Sequence, residues 1–135
     1  MSERPGIDTN ILLRLVIPDD ADQAGAIDRF LNRLGPDDLL VVNLSAILEA
    51  SWVPRRKYGY PMERVPDFIQ ALPERRGFEV PAYEAVGNAV HLCRMLNVDF
   101  ADSLLSETNR IDGCSRTMTF DRKAAAHVPG MEVLT

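Results

Sequence analysis

Leu39-Leu40-Val41-Val42 is an unbroken apolar run set between two amphipathic helical patterns, and this constrains the fold most. A strand that is apolar at every position suits burial on both faces. That setting is a parallel sheet covered by helices on each side. Upstream, Ala24, Ile27, Phe30, Leu31 and Leu34 recur at helical spacing, and Gly35-Pro36 ends the pattern. Downstream, Asn43 or Ser45 can cap a helix with Leu44, Ile47, Leu48 and Trp52 on its apolar side.

The same alternation runs through the whole chain. Arg4 to Ile7 is a short first strand broken by Pro5 and Gly6, followed by a helix over Thr9 to Val16 with Ile11, Leu12, Leu15 and Val16 inward. Pro18-Asp19-Asp20 is a break and a capping signal. Pro54 predicts a kink or an end in the helix after Val42, because proline removes one helical hydrogen bond. Pro61 to Leu72 reads as helix and Phe78 to Val80 as strand. Tyr83 to Leu96 reads as a long helix with Val86, Ala89, Val90 and Cys93 inward. Ala101 to Ile111 reads as helix with Leu104, Leu105 and Thr108 inward. Ser115 to Phe120 is a strand, Arg122 to His127 a short helix, and Met131 to Leu134 a last strand. Strands alternating with helices imply an α/β fold with a mostly parallel sheet. With 135 residues, no repeat and no linker, one domain over residues 1–135 is expected.

Acidic residues fall at the edges of these elements. Asp8 follows the first strand, Glu49 lies on the helix after Val42, Asp99 and Asp102 flank a helix start, and Asp121 follows the strand ending at Phe120. In an open α/β sheet the carboxyl edges of the strands converge on one crevice, where sites form. The sequence therefore predicts that Asp8, Glu49, Asp102 and Asp121 share one crevice. Carboxylates crowd only when a cation cancels their repulsion, and oxygen donors suit magnesium or manganese.

Each acid also has a plain structural explanation. Asp8, Asp99 or Asp102, and Asp121 all precede helices and suit helix capping. Glu49 resists that account, because it lies within a helix on the same face as Ser45; its plain alternative is a solvated helix face. Singly, the structural explanations are the stronger ones. Four acids that can converge favour function.

The stretches Ile7-Asp8-Thr9-Asn10, Ser45-Ala46-Ile47-Leu48-Glu49, Asp99-Phe100-Ala101-Asp102-Ser103-Leu104-Leu105 and Thr119-Phe120-Asp121-Arg122-Lys123, in this order, resemble PIN-domain ribonucleases. Within that family they are most similar to the VapC-like toxins of bacterial toxin–antitoxin pairs. The resemblance covers nearly the whole chain. It implies a three-layer α/β/α fold around a central, mostly parallel sheet of about four or five strands. It carries Asp8, Glu49, Asp102 and Asp121 over as the four acids of the site, with Asp99 as an additional acid. Thr9, Asn10, Ser45 and Thr119 would position these carboxylates. Asp8, Asp102 and Asp121 would hold one or two magnesium or manganese ions, and the reaction would be hydrolysis of structured or tRNA-like RNA. A homodimer and a small DNA-binding antitoxin are further implications. Two features depart from the family pattern: a first strand of low apolarity at Ser2-Glu3-Arg4-Pro5, and prolines at positions 54 and 66 within helical patterns.

The net charge of −5, from 15 basic and 20 acidic residues, argues against RNA binding at first sight. The five acids Asp8, Glu49, Asp99, Asp102 and Asp121 account for all of that excess. Arg55, Arg56, Lys57 and Tyr58 are candidates for holding an RNA backbone, although such runs are more often solvated helix ends. Arg14, Arg75, Arg76, Arg94, Arg122 and Lys123 are weaker candidates. Cys93 and Cys114 read as reduced, partly buried residues without a zinc site. No apolar run is long enough for a membrane span and residues 1–10 lack a signal-peptide core, so a cytoplasmic location is expected. His91 reads as a packing residue, and His127 as a residue near an exposed turn. Ser51, Ser103 and Ser106 lack the histidine and acid of a hydrolytic triad.

Rival functions are less well served. A phospho-receiver module needs paired acids after its first strand, where Asp8 stands alone. A haloacid-dehalogenase-like phosphatase needs an acid where Asn10 stands. A catalytically silent PIN fold that only binds remains as the third reading.

Overall fold

The computed structural model describes residues 2–17, 19–52 and 65–135. Its elements are α1 (Thr9–Val16), α2 (Ala21–Arg33), β1 (Leu40–Val41), α3 (Leu44–Ala50), α4 (Val65–Ala71), β2 (Phe78–Glu79), α5 (Tyr83–Leu96), α6 (Phe100–Ile111), β3 (Thr117–Thr119), α7 (Arg122–His127) and β4 (Met131–Val133). They group into two compact units, Met1–Ala82 and Tyr83–Thr135.

In the first unit, β1 and β2 pair in parallel, with Leu40 opposite Phe78 and Val41 opposite Glu79. The chain before Asp8 runs parallel to β1 on its other side. Gly6 bridges to Val41, the Leu39 amide donates to the Glu3 carbonyl at 3.0 Å, and the Ile7 amide donates to the Val41 carbonyl at 3.1 Å. The expected first strand is thus present as a short ladder. Apolar side chains along this region are buried as a parallel sheet requires: Ile7, Leu40, Val42, Phe78 and Val80. Helix α1 packs on α3, burying Leu12 and Leu13 from one side and Ala46, Ile47 and Ala50 from the other.

The inward faces differ in detail from the sequence expectation. On α1, Leu13 is buried while Ile11 is exposed; on α3 Leu48 is exposed, and so is Trp52 just after it. Small residues explain the second case, because Ala46 and Ala50 allow close approach and take the core face themselves. Helix α2 forms as expected, with Asp20 as its cap, yet buries no residue fully. Helix α3 ends at Ala50 with Ser51 as its C-cap; the proposed kink at Pro54 lies outside the described residues. Of the helix read over Pro61 to Leu72, Val65–Ala71 is described.

In the second unit, β3 and β4 pair in parallel, with Thr117, Met118 and Thr119 opposite Met131, Glu132 and Val133. Helix α5 packs on α6, and α7 packs on β4. Ala85, Val86, Ala89 and Val90 are buried on α5, and Phe100, Ser103, Leu104 and Ser106 on α6. Leu105, expected inward, is exposed, and so is His91, which therefore does not serve packing. Ser103 and Ser106 are core residues because their hydroxyls are satisfied: they donate to the Asp99 carbonyl at 2.9 Å and the Pro129 carbonyl at 2.7 Å.

Two turns are set by backbone conformation. Helix α6 ends in a Schellman motif, with the Cys114 amide on the Asn109 carbonyl and the Gly113 amide on the Arg110 carbonyl. Gly113 adopts the left-handed φ of 96° that this motif needs. Gly130 also has a left-handed φ, 87°, and a Cβ there would lie 2.8 Å from the Ser106 hydroxyl.

Each unit is therefore mixed α/β with parallel pairing, and among the described residues regular pairing forms two two-stranded sheets. No helix among the described residues is long and apolar enough to cross a membrane.

Candidate functional site

Five acids were singled out by their positions at element edges. Three of them prove to be helix caps. The Ile11 amide donates to Asp8 at 3.0 Å, the Asp102 amide to Asp99 at 3.0 Å, and the Ala124 amide to Asp121 at 3.0 Å. Each bond satisfies one of the amides that a helix N-terminus leaves without a partner. Capping thus explains part of the acidic pattern, and Asn43 caps α3 in the same way.

Asp102 is not explained by capping. It lies in the first turn of α6, after the cap. Asp99, Asp102 and Asp121 line one cleft of about 320 Å3 in the second unit, together with Val98, Lys123 and His127. Burial pushes the Asp102 carboxyl above its ordinary value, and the charges of Asp99 and then Asp121 push it further in the same direction. Burial is the larger cause, and the crowding of carboxylates adds to it.

Local structure holds the cleft in place. Helix α5 ends at Leu96, and Asn97 takes a left-handed φ of 54° that turns the chain toward the Asp99 cap. The Asp121 amide donates to the Thr119 hydroxyl at 3.0 Å, so Thr119 positions the turn that carries the acid. Ala124, Val128 and Met131 form a buried cluster with Val98 packed against it, which anchors α7. Cys93 on α5 feels one of these charges, that of Asp99. Burial raises its thiol to about 11, Asp99 adds to the rise, and a hydrogen bond with Ser103 opposes it. Cys114 is exposed rather than partly buried as the sequence suggested.

Asp8 and Glu49 belong to the first unit, where both are exposed. Asp8 follows the strand-like segment before it, and α3 begins after β1. Both helices therefore start at the carboxyl ends of adjacent parallel strands, where sites in α/β sheets form. Asp8 and Asn10 border a groove of about 330 Å3 whose lining is otherwise mainly apolar, including Ile11, Leu15, Ile27 and Phe30. Thr9 is half-buried, and Ser45 and Glu49, one turn apart on α3, are both exposed. Arg55, Arg56, Lys57 and Tyr58 lie outside the described residues.

The donors lining the second unit's cleft fit a hard cation in type. Its oxygen donors, Asp99, Asp102 and Asp121, are carboxylates, and His127 adds a nitrogen donor. Asp99 and Asp121 each commit one oxygen to an amide and keep the other. Among the described residues, no three His, Cys, Asp or Glu side chains are grouped so as to hold a metal ion.

Lys123 and His127 were underrated by sequence reasoning. The signal was present in Asp121-Arg122-Lys123-Ala124-Ala125-Ala126-His127, since residues 123 and 127 are one helical turn apart on the helix that Asp121 caps.

No protein-family profile matches the chain, and no curated protein matches it at a significant level. Among solved structures, a toxin–antitoxin complex from Klebsiella pneumoniae is similar, at 19% identity over 100% of this chain and 97% of that chain, with a TM-score of 0.34. A likeness of that degree assigns neither fold nor activity.

Proposed function

We propose that this protein is a magnesium- or manganese-dependent endoribonuclease with a PIN-like three-layer fold, acting as the toxin of a toxin–antitoxin pair. The observation that carries the reading is the cleft lined by Asp99, Asp102 and Asp121, with Asp102 raised by burial and then by its two acidic neighbours. Crowded acids that disfavour one another's charge are characteristic of sites that work on a cationic or proton-linked task. The ordered motifs around Asp8, Glu49, Asp102 and Asp121 supply the family resemblance and bring Asp8 and Glu49 into the proposed set.

In this reading Asp102 and Asp121 hold the cation, with Asp8 as a further ligand. Asp99 and Glu49 support it directly or through water. When bound, such an ion lowers the pKa of its water and stabilises charge on a scissile phosphate. The chain's own residues supply the framework. Capping bonds fix Asp99 and Asp121 in direction, Thr119 fixes the turn before Asp121, and the Val98–Val128 floor keeps the cleft base apolar. RNA, a small DNA-binding antitoxin and a second copy of the chain are the proposed partners, and the cytoplasm the proposed location.

A second reading, a PIN fold that binds without cutting, is favoured by one observation: both Asp99 and Asp121 already serve as helix caps. Two measurements separate the readings. Pooled tRNA is incubated with the protein and millimolar manganese or magnesium, and thermal unfolding is followed with and without the ion. The nuclease should cut RNA only with metal and melt at a higher temperature with it, because the ion binds the folded state. RNA left intact with either ion, by a folded protein, would leave the binding module as the reading.

A further inference from the structure

We propose that Lys123 and His127 form a phosphate-binding edge on the acidic cleft, holding the backbone of the RNA beside the bond to be cut. The proposal rests on the nuclease reading above and adds to it the residues that admit an anion to an acidic site.

The argument starts from α7. Residues 123 and 127 are one turn apart and face the same side of this helix. The flanking side is anchored, since Ala124 and the following Val128 are buried with Met131. The helix cap is Asp121 itself. The two cationic or proton-donating side chains therefore have a defined station relative to the acids, and both line the same cleft as Asp99, Asp102 and Asp121.

Their partners, or lack of them, carry the second step. Three carboxylates in one cleft are natural partners for an ammonium group. Among the described residues, however, neither the Lys123 nor the His127 side chain makes an ion pair or a hydrogen bond. Elsewhere on the same unit, exposed cations do pair: Arg110 with Glu107 at 2.7 Å and Arg116 with Glu132 at 2.8 Å. Lys123 and His127 keep their donors for something else.

Charge complementarity names the class of ligand. A cleft lined by three carboxylates repels a phosphodiester unless positive charge or hydrogen-bond donors meet it at the rim. A lysine offers three donors, and an imidazole offers at least one N–H in either protonation state. Phosphate contacts of this kind position a nucleic acid without reading its sequence. The edge should therefore act on affinity across RNA sequences.

The test uses the full chain and its Lys123→Gln, His127→Gln and double variants. Arg116→Gln serves as a control, since Arg116 lines a different cleft. Circular dichroism first establishes matched folding. Cleavage of an RNA oligonucleotide with manganese gives KM and kcat, and fluorescence anisotropy gives binding of a labelled RNA oligonucleotide over a range of salt. The double variant should raise KM and weaken binding about tenfold, and should flatten the salt dependence by about 0.7 per lost phosphate contact. Arg116→Gln should change neither. If the parent cuts RNA, Asp102→Asn does not, and the double variant binds and cuts like the parent, the inference falls and the nuclease reading stands. If the parent cuts nothing, the nuclease reading falls. The edge then survives as an RNA-binding surface only if the double variant still binds the oligonucleotide more weakly than the parent.

Discussion

Two helix starts in this molecule are built alike and behave differently. At Asp8 and at Asp99, a carboxylate accepts a hydrogen bond from the amide three residues on. After Asp8 that third residue is Ile11; after Asp99 it is Asp102. The capping energetics are the same in kind. The second acid makes the difference, because it is partly shielded from water and sits within the field of Asp99 and Asp121. A cap alone is a local device for ending a helix cleanly. A cap followed by a first-turn acid, with a third acid nearby, is a device for concentrating negative charge. Acidic residues at helix starts are therefore weak evidence for a site until a neighbour changes their titration.

The strongest attempt to break this comparison is Asp102→Asn, which keeps the shape and removes the charge. RNA cleavage in manganese should fall by orders of magnitude, because the proposed ion loses a ligand. Asp8→Asn should do the same if Asp8 joins the proposed set. If Asp102→Asn abolishes cutting and Asp8→Asn leaves it intact, the two helix starts differ in function as well as in electrostatics, and Asp8 is only a cap. Asp19→Asn serves as the reference. Asp19 pairs with Arg14 at 2.9 Å; its own carboxylate is exposed and lies outside the proposed set, so its loss should leave activity unchanged.

The next effect is on stability. Asp8→Ala should cost about 1 kcal/mol in urea unfolding, the ordinary cost of a lost cap. Asp99→Ala should cost less, because removing its charge also relieves Asp102. Equal losses at the two positions would show that the repulsion seen by Asp102 is too weak to matter.

A smaller effect should follow pH. The folded protein raises the Asp102 carboxyl above its unfolded value, so between those two values the folded state binds more protons. Asp102 therefore costs stability once pH rises through this window, and that cost is absent below it. Asp102→Asn should melt higher than the parent at neutral pH, and the gap should close as pH falls through the carboxylate range. A gap that does not change with pH would point to packing.

The smallest effect concerns the thiols. Cys114 is exposed, while Cys93 is half-buried with its thiol raised to about 11. A maleimide added at neutral pH to the native protein should label Cys114 first and Cys93 slowly, because only the thiolate reacts. Equal labelling rates would show that α5 and α6 open readily at Cys93.

Local signals were legible in the sequence wherever the physics is local. Caps at Asp8, Asp20, Asp121 and Asn43 lie next to the amides they bind, so residue order alone reveals them. The strands around Leu40, Phe78, Met118 and Glu132 were legible from short β-favouring runs between turn residues. Even the irregular start over Glu3 to Ile7 forms a parallel ladder despite Pro5 and Gly6, because the Val41 amide binds the Pro5 carbonyl and needs no proline N–H.

Helix faces were less legible. Ile11, Leu48, Trp52 and Leu105 have the right periodicity for the core and still lie exposed, whereas Leu13, Ser103 and Ser106 are buried. Periodicity gives a stripe, but which edge of the stripe faces inward depends on the neighbour that covers it. The sequence by itself determined the alternation of elements, where most helices start, and which acids stand at those starts. The tertiary structure alone decided that the Asp102 carboxyl is raised, and that it shares one cleft with Asp121, Lys123 and His127. Burial and through-space charge depend on distances between segments far apart in the chain, and no local pattern encodes them.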